Sequence, residues 1–342
     1  MVKGIKYTSM ILSAVLFCGF VLAGCTNSSL KEKSAERTAL IMDTVVTVTL
    51  YGENAQQGVQ AAIQKAEELE KILSAQQEDS ELSYLNRTAY NNDVVVSNVL
   101  FTVAKRSLQY SKETNGALDC TIGRLIQIWG IGTENEKLPN REEIVSLLLN
   151  KGYEQVRLNE ETRTIRFLNN NIQMDFGATA KGYAANEIKK MLEQEYGITC
   201  GILNFGGNIM TIGARYDGQF WNIGITDPLD TTNVLTTIRQ KNSSMVTSGN
   251  YERFFIKDGE RYHHILDTET GYPAQNGLIS VTILSEDSMQ ADALSTAAFV
   301  MGLDTAMSYI ESLESVEAVF VTDEGSVVKT SGIKENTFEV VP

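Results

Sequence analysis

Two short runs hold most of the residues able to do chemistry in this chain. Between Ala291 and Ala297 it reads Ala-Asp-Ala-Leu-Ser-Thr-Ala, so a helix there puts Asp292 and Thr296 one turn apart on one face. A carboxylate and a hydroxyl so placed can hold a hard cation, which prefers oxygen ligands. The second run, Asp175-Phe176-Gly177-Ala178-Thr179-Ala180-Lys181-Gly182, follows an apolar stretch at 172–174 that reads as a short strand. It reads as a turn into a helix beginning near Lys181 or Gly182, where free amides favour a phosphate and a lysine adds charge. It is neither a Walker A nor a GxGxxG sequence. Taken alone, it reads better as an aspartate capping a helix beside a solvated lysine. Together the two runs suggest a metal-assisted phosphate site.

Other reactive residues are few. The glycines of Asn204-Phe205-Gly206-Gly207-Asn208 let a backbone approach a ligand, although such a pair more often marks a tight strand connection. The only histidines, His263 and His264, are adjacent in a run read as a strand, so they face opposite ways and one at most enters a given site. For either alone a structural or surface role is the ordinary reading. A polar turn, Asp267 to Pro273, follows directly. No cysteine lies in a CxxC or Cys/His cluster, which argues against zinc. Cys120 and Cys200 read as buried free thiols, with a single disulfide left open.

These runs need elements to position them. The β-branched alternation from Thr44 to Tyr51 predicts a strand, and the apolar spacing of Val59, Ala62, Ile63, Ala66, Leu69 and Leu73 predicts a helix over Ala55–Leu73. Helical periodicity returns at 98–114, 141–149, 183–196, 289–301 and 304–313. Further strands are expected at 155–158, 164–167, 201–205, 209–214, 221–225, 236–238, 245–248, 251–257, 263–266, 278–284 and 318–322. The second half is strand-rich without regular βα alternation. This favours an α+β fold of mixed, largely antiparallel sheets with packed helices, in one body with room for two lobes.

The first 24 residues carry Lys3 and Lys6 and then an apolar run too short to span a bilayer, the pattern of a secretory signal. The signal ends Leu22-Ala23-Gly24-Cys25, which resembles a bacterial lipobox, so Cys25 is expected to carry lipid. Residues 25–38 read as the lipidated cysteine and a flexible tether, and 39–342 as the catalytic body. Loss of residues 1–24 moves the formal charge from −14 to −16. So acidic a chain lacks the basic surface that nucleic acid requires. The expected location is the extracytoplasmic face of the cell membrane.

In this order, the runs resemble the FAD:protein FMN transferase (ApbE) family, some of whose members are exported lipoproteins. The resemblance covers about residues 42–302. It rests on Met42-Asp43-Thr44, Asn115-Gly116-Ala117-Leu118-Asp119 with Trp129-Gly130, the 175–183 run, Gly206-Gly207-Asn208, Ser248-Gly249-Asn250-Tyr251 with Arg253-Phe254-Phe255, His264-Ile265-Leu266-Asp267 through Pro273, and the 291–296 run. It implies Mg²⁺-dependent transfer of FMN from FAD to a threonine or serine of a partner protein, with release of AMP. By the same resemblance Asp292, Thr296 and the carbonyl of Ala178 are the metal ligands, and Met42, Gly116, Ala117, Leu118, Asp175, Lys181 and Ile265 line the FAD. Ser295 varies among relatives and is not assigned a metal contact. His264, which opens the His-Ile-Leu-Asp run, is the candidate general base, with Asp292 as the other catalytic residue. The implied acceptor is an exported or membrane-bound redox protein bearing a flavinylation motif.

The chain departs from the family pattern at two places. Thr268 stands where many relatives have proline, a change expected to loosen the turn, and Gln76 stands where some have an aromatic. Two rival readings remain: a Mg²⁺-dependent FAD pyrophosphatase that uses water as acceptor, and a non-catalytic flavin-binding lipoprotein.

Overall fold

The computed structural model describes residues 28–149, 152–334 and 338–340. The expected signal peptide and Cys25 lie outside the described residues. Eight strands form the central sheet: β1 (Ser34–Ile41), β2 (Thr44–Tyr51), β3 (Cys200–Phe205), β4 (Asn208–Ile212), β5 (Ser244–Gly249), β6 (Leu278–Ser285), β7 (Glu317–Thr322) and β8 (Val327–Lys329). They lie side by side in chain order, and every neighbouring pair is antiparallel. Most other elements are excursions between consecutive strands; the exceptions are the helix Ser28–Glu32, before β1, and the strand Phe338–Val340, after β8, which pairs with Val234–Gln240 of a smaller sheet. The α+β reading with largely antiparallel sheets therefore holds.

Alternation along the strands divides the apolar residues between two faces. Val46, Val48 and Leu50 of β2, with Leu203, Phe205, Met210 and Ile212, cover helices α1 (Ala55–Leu73) and α2 (Ala180–Tyr196). Further along the same sheet, helix α3 (Ser288–Met301) lies against β5 and β6. The other face packs Cys200, Met245 and Val319 against Trp221, Ile223, Ile225 and Ile238, which belong to a separate three-stranded sheet. No helix among the described residues is long and apolar enough to cross a membrane.

The start of α3 is tied down from three sides. Asp287 caps it by accepting from Met289 N (3.0 Å) and Gln290 N (3.3 Å). The same carboxylate accepts from Asn186 Nδ2 of α2 at 2.7 Å and pairs with Arg106 of the helix Asn98–Glu113. α3 contains a single charged residue, Asp292, in an otherwise apolar and small-residue sequence. A buried charge there must be compensated by its neighbours.

Four expectations change. Residues 34–38, read as tether, form the first part of β1 and pair with Thr47–Tyr51 of β2. This is an edge strand with polar side chains facing solvent, so its sequence lacks apolar alternation. Residues 172–174 form no ladder strand. Gln173 makes one isolated bridge to Ile122, and the Asn86 side chain imitates a strand by donating to Met174 O (2.9 Å) and accepting from Met174 N (2.8 Å). The strand read at 263–266 ends at His263, closing the hairpin Phe254–Lys257 with Glu260–His263. The opposite-face argument for the two histidines therefore fails, because His264 is outside the strand. The helices Glu81–Thr88 and Gly123–Trp129 were not anticipated. Cys120 and Cys200 are buried and free, as read, and burial pushes the Cys200 thiol up to about 11.

Candidate active site

Gly182, in the first turn of α2, is the point where α2 meets α3. A Cβ there would lie 2.2 Å from Ser288 O and 2.6 Å from Met289 Cα, so no other residue fits this crossing. The contact lets Gly182 N donate to Asp292 Oδ2 at 2.9 Å. Lys181 Nζ stands 3.6 Å from Asp292 Oδ1 and donates to Gly177 O at 2.8 Å, spanning the turn and the carboxylate. Burial pushes the Asp292 carboxyl above its usual range, while Lys181 and the Gly182 amide oppose that shift.

One turn along α3, Thr296 is the only residue from Ala291 to Phe299 that is not buried. Its Oγ1 lies 3.3 Å from Ser248 Oγ. Ser248 Oγ is also 2.8 Å from Ser295 Oγ, and Ser295 donates to Asp292 O at 2.8 Å. The Ser295 hydroxyl is thus committed within the protein, while Thr296 stays partly exposed with one longer contact to Ser248. One carboxylate, one hydroxyl and nearby backbone carbonyls suit a hard cation that takes its other ligands from water and phosphate. Among the described residues no group of three or more His, Cys, Asp or Glu is placed to hold a metal, so the donors do not suit a soft-metal cage. Ala178 sits half-buried in the turn leading into α2.

The opposite wall comes from four loops. Asp175 N donates to Cys120 O (2.9 Å), and Asp175 Oδ1 accepts from Gly177 N (2.8 Å). Burial raises the Asp175 carboxyl, and Lys181, Asp43 and Arg253 all act on it, which places these charges around one cleft. Met42 and Asp43 form the β1–β2 turn with φ of 54° and 55°. Met42 N donates to Glu70 Oε1 (2.6 Å) and Arg253 Nη2 donates to Asp43 O (2.7 Å). Gly116 has φ of 82°, and its carbonyl accepts from Thr268 Oγ1 at 2.6 Å. Thr268 therefore fastens the 116 turn to the 267–273 turn instead of loosening it, through a hydroxyl that proline lacks. Gly116 and Ala117 are half-exposed, while Leu118 (6% exposed) and Ile265 (3%) are packed behind the cleft wall. Beside Asp175 lies a cavity of about 290 Å³ lined by Gln76, Asn86, Arg87, Gln127 and Gln173 among others.

The two histidines separate cleanly. His263 is buried, its Nε2 lies 2.9 Å from Ala274 O, and its Nδ1 accepts from Ile265 N at 3.3 Å. A carbonyl can only accept, so the proton is on Nε2 and both nitrogens are engaged. His264 Nδ1 lies 3.2 Å from Arg253 O, which by the same logic puts its proton on Nδ1 and leaves Nε2 with a lone pair. Desolvation, then the Arg253 charge, lowers the His264 pKa to about 3, so the ring is neutral at physiological pH.

The same set of residues lies within a recognised sequence pattern: the ApbE family model matches residues 42–320. This chain belongs to the ApbE family. A protein of Treponema pallidum named FAD:protein FMN transferase is 31% identical over 93% of this chain and 93% of its own length. One of the same name from Haemophilus influenzae is 32% identical, covering 83% of this chain and 84% of its own. Among solved structures, the ApbE protein of Thermotoga maritima superposes with a TM-score of 0.82 at 31% identity, over 87% of this chain and 97% of that one. The flavin transferase ApbE of Vibrio cholerae gives 0.78 at 27% identity, over 88% and 98%. Three residues of the ApbE-like cleft had no role in the sequence reading. Ser248 and Arg253 stood inside runs that carried the resemblance, whereas Asn86 gave no signal, because its work is done by a side chain replacing a strand.

Proposed function

We propose that this protein is an FAD:protein FMN transferase that moves FMN from FAD to a threonine or serine hydroxyl of an exported or membrane-bound redox protein. The observation that carries this reading is the junction of the α2 start, Lys181 and Asp292, one helical turn from the partly exposed Thr296. It offers a carboxylate and a hydroxyl as oxygen ligands with a lysine 3.6 Å from the carboxylate.

In this reading Asp292, Thr296 and the Ala178 carbonyl hold Mg²⁺, and Met42, Gly116, Ala117, Leu118, Asp175, Lys181 and Ile265 line the FAD. Mg²⁺ would offset the charge that builds on the phosphates during in-line displacement. Lys181 holds the pyrophosphate oxygens as a point charge. The amide-lined cavity beside Asp175 takes one end of the dinucleotide, whose ring edges its glutamines and Asn86 can meet with hydrogen bonds. The acceptor oxygen forms a bond to the FMN phosphorus as the bond from that phosphorus to the bridging oxygen breaks. AMP leaves with the bridging oxygen, and the hydroxyl proton passes to His264 Nε2. Arg253 O holds the imidazole in the tautomer this transfer needs. We place the protein on the extracytoplasmic face of the membrane, anchored through Cys25.

The test combines full-length protein in mild detergent with FAD, Mg²⁺ and an acceptor carrying a threonine-containing motif, read by intact mass. FMN mass on the acceptor, absent with chelator and with Asp292→Ala, is the expected result. Free FMN and AMP without labelling would replace the reading with a pyrophosphatase, and unchanged FAD would replace it with a binding protein. Cys25→Ala should move the protein from the membrane to the soluble fraction.

A further inference from the structure

Asn208, at the start of β4, is almost wholly inaccessible at 1% exposure, yet its Nδ2 makes no hydrogen bond of full geometry within the protein, although its side chain acts on the Asp292 carboxylate. Its other amide atom is committed: Ser288 Oγ donates to Asn208 Oδ1 at 2.8 Å, and Ser244 Oγ donates to Ser288 Oγ at 2.9 Å. The Ser244 proton is within reach of both Ser288 Oγ and Ile209 O (3.2 Å), so the far side of the amide decides its orientation: a carboxylate can only accept, and the Asn208 side chain acts on Asp292 as a donor. Ser288 and Asp292 are four residues apart on α3 and share a face. With Oδ1 held at Ser288, the NH₂ end is the one that meets Asp292. A buried donor without an acceptor is costly unless something beside it needs it.

We infer that Asn208 is a positioning residue for Asp292, its amide anchored at Ser288 so that the NH₂ faces the carboxylate and one carboxylate oxygen stays turned toward the cleft. The three donors around Asp292 then divide its two oxygens. Gly182 N holds Oδ2, Lys181 stands off Oδ1 by 3.6 Å, and the Asn208 amide borders the group from the sheet side. The amide favours the ionised form of Asp292, as expected of a donor facing it. The proposal rests on the reading of Asp292 as a Mg²⁺ ligand. It adds that β4, a strand bearing none of the assigned ligands, governs how tightly that ligand binds.

The test is the Mg²⁺ concentration giving half of the thermal-stability rise in full-length protein with saturating FAD, measured for wild type, Asp292→Ala, Asn208→Ala and Ser288→Ala. Removing a group that orients a metal ligand typically weakens metal binding 10–100-fold. Asn208→Ala is expected to raise the half-saturating Mg²⁺ at least about 10-fold while FAD affinity without metal stays within about 2-fold. A residue that merely filled space would not produce that split. Ser288→Ala, which frees the amide to rotate, is expected to give a smaller rise in the same direction. Should Asn208→Ala fail to fold, Ser288→Ala decides alone. An unchanged midpoint in the folded variant, with the response lost in Asp292→Ala, overturns the role of Asn208 and leaves the metal reading standing. A wild type without any Mg²⁺ response, or an Asp292→Ala protein that keeps it, overturns the metal reading first and this inference with it.

Discussion

Gly182→Ala isolates the crossing of α2 and α3, because its added methyl meets backbone and nothing that can rotate away. The methyl carbon would stand 2.2 Å from Ser288 O and 2.6 Å from both Ser288 C and Met289 Cα, where real contacts stay above 3.0 Å. The helices must therefore part by at least 0.8 Å, and the 2.9 Å bond from Gly182 N to Asp292 Oδ2 stretches with them. Overpacking a tight interior costs about 1–3 kcal/mol. A hydrogen bond to a charged group contributes about 1.5–3 kcal/mol, and alanine returns about 1 kcal/mol of helix propensity. The net loss is about 1.5–5 kcal/mol, or, for a body of roughly 300 residues, a melting temperature lower by roughly 2–8 °C. Gly58→Ala is the matched control. It too lies within a helix, but its methyl would meet side-chain ends, Leu50 Cδ1 at 2.8 Å and Leu192 Cδ2 at 3.2 Å. Rotation of those leucines and the gain in propensity should leave it within about 1 kcal/mol of wild type. Calorimetry of both variants, followed by Mg²⁺ titration with FAD, reads the two effects. If Gly182→Ala melts with Gly58→Ala and keeps the wild-type Mg²⁺ midpoint, the crossing does not govern Asp292 and the reasoning is wrong.

Other outcomes follow from the same contacts. NMR titration of His264 in the FAD-free protein should show a neutral ring from pH 5 to 8, as its pKa of about 3 requires; a midpoint near 6.5 would contradict the desolvated, cation-flanked setting of this partly exposed ring. Unfolded histidine takes a proton below about 6.5 and the native ring does not until near 3, so this group lowers stability as the pH falls through that window, and His264→Gln should flatten the loss. The same substitution should slow transfer about 10²–10⁴-fold with FAD affinity kept, and a full-rate enzyme would remove the general-base role. Asn86→Ala leaves the amide and carbonyl of Met174 without their partner. A loss of about 1–3 kcal/mol in stability and weaker FAD binding by fluorescence titration are expected, and unchanged binding would detach Asn86 from the Asp175 loop. Asp287→Ala removes the cap of α3 and its ties to Arg106 and Asn186, so a loss of about 1–2 kcal/mol in denaturant unfolding is expected.

What the sequence made legible was whatever repeats along the chain. The helix Ala55–Leu73 and the strand Thr44–Tyr51 lie where periodicity placed them, because each buries one regular face. β1 escaped because an edge strand needs no second apolar side, and its residues 34–38 read as tether. The Asp175 run was located, but its support was mistaken for a strand, since Asn86 supplies the two strand-like bonds from 88 positions away. Asp292 and Thr296 could be paired from spacing alone. That Gly182 must touch α3 could not, because the reason is a crossing of two helices distant in sequence.

The adjacent histidines show where such reading ends and geometry begins. A strand through both would have sent them to opposite faces and left the choice between them to resemblance. The hairpin stops at His263 instead, and each ring is then defined by the carbonyl it meets. Ala274 O takes the Nε2 proton of His263, and Ile265 N occupies its other nitrogen, so that ring is a clamp for the turn holding Ile265. Arg253 O takes the Nδ1 proton of His264, and the Arg253 guanidinium donates to Asp43 O. One residue thus ties the β1–β2 turn to the orientation of the only imidazole with a free lone pair among the described residues. A shift of Arg253 that accompanied acceptor binding would therefore move the proposed base together with the wall of the proposed FAD site.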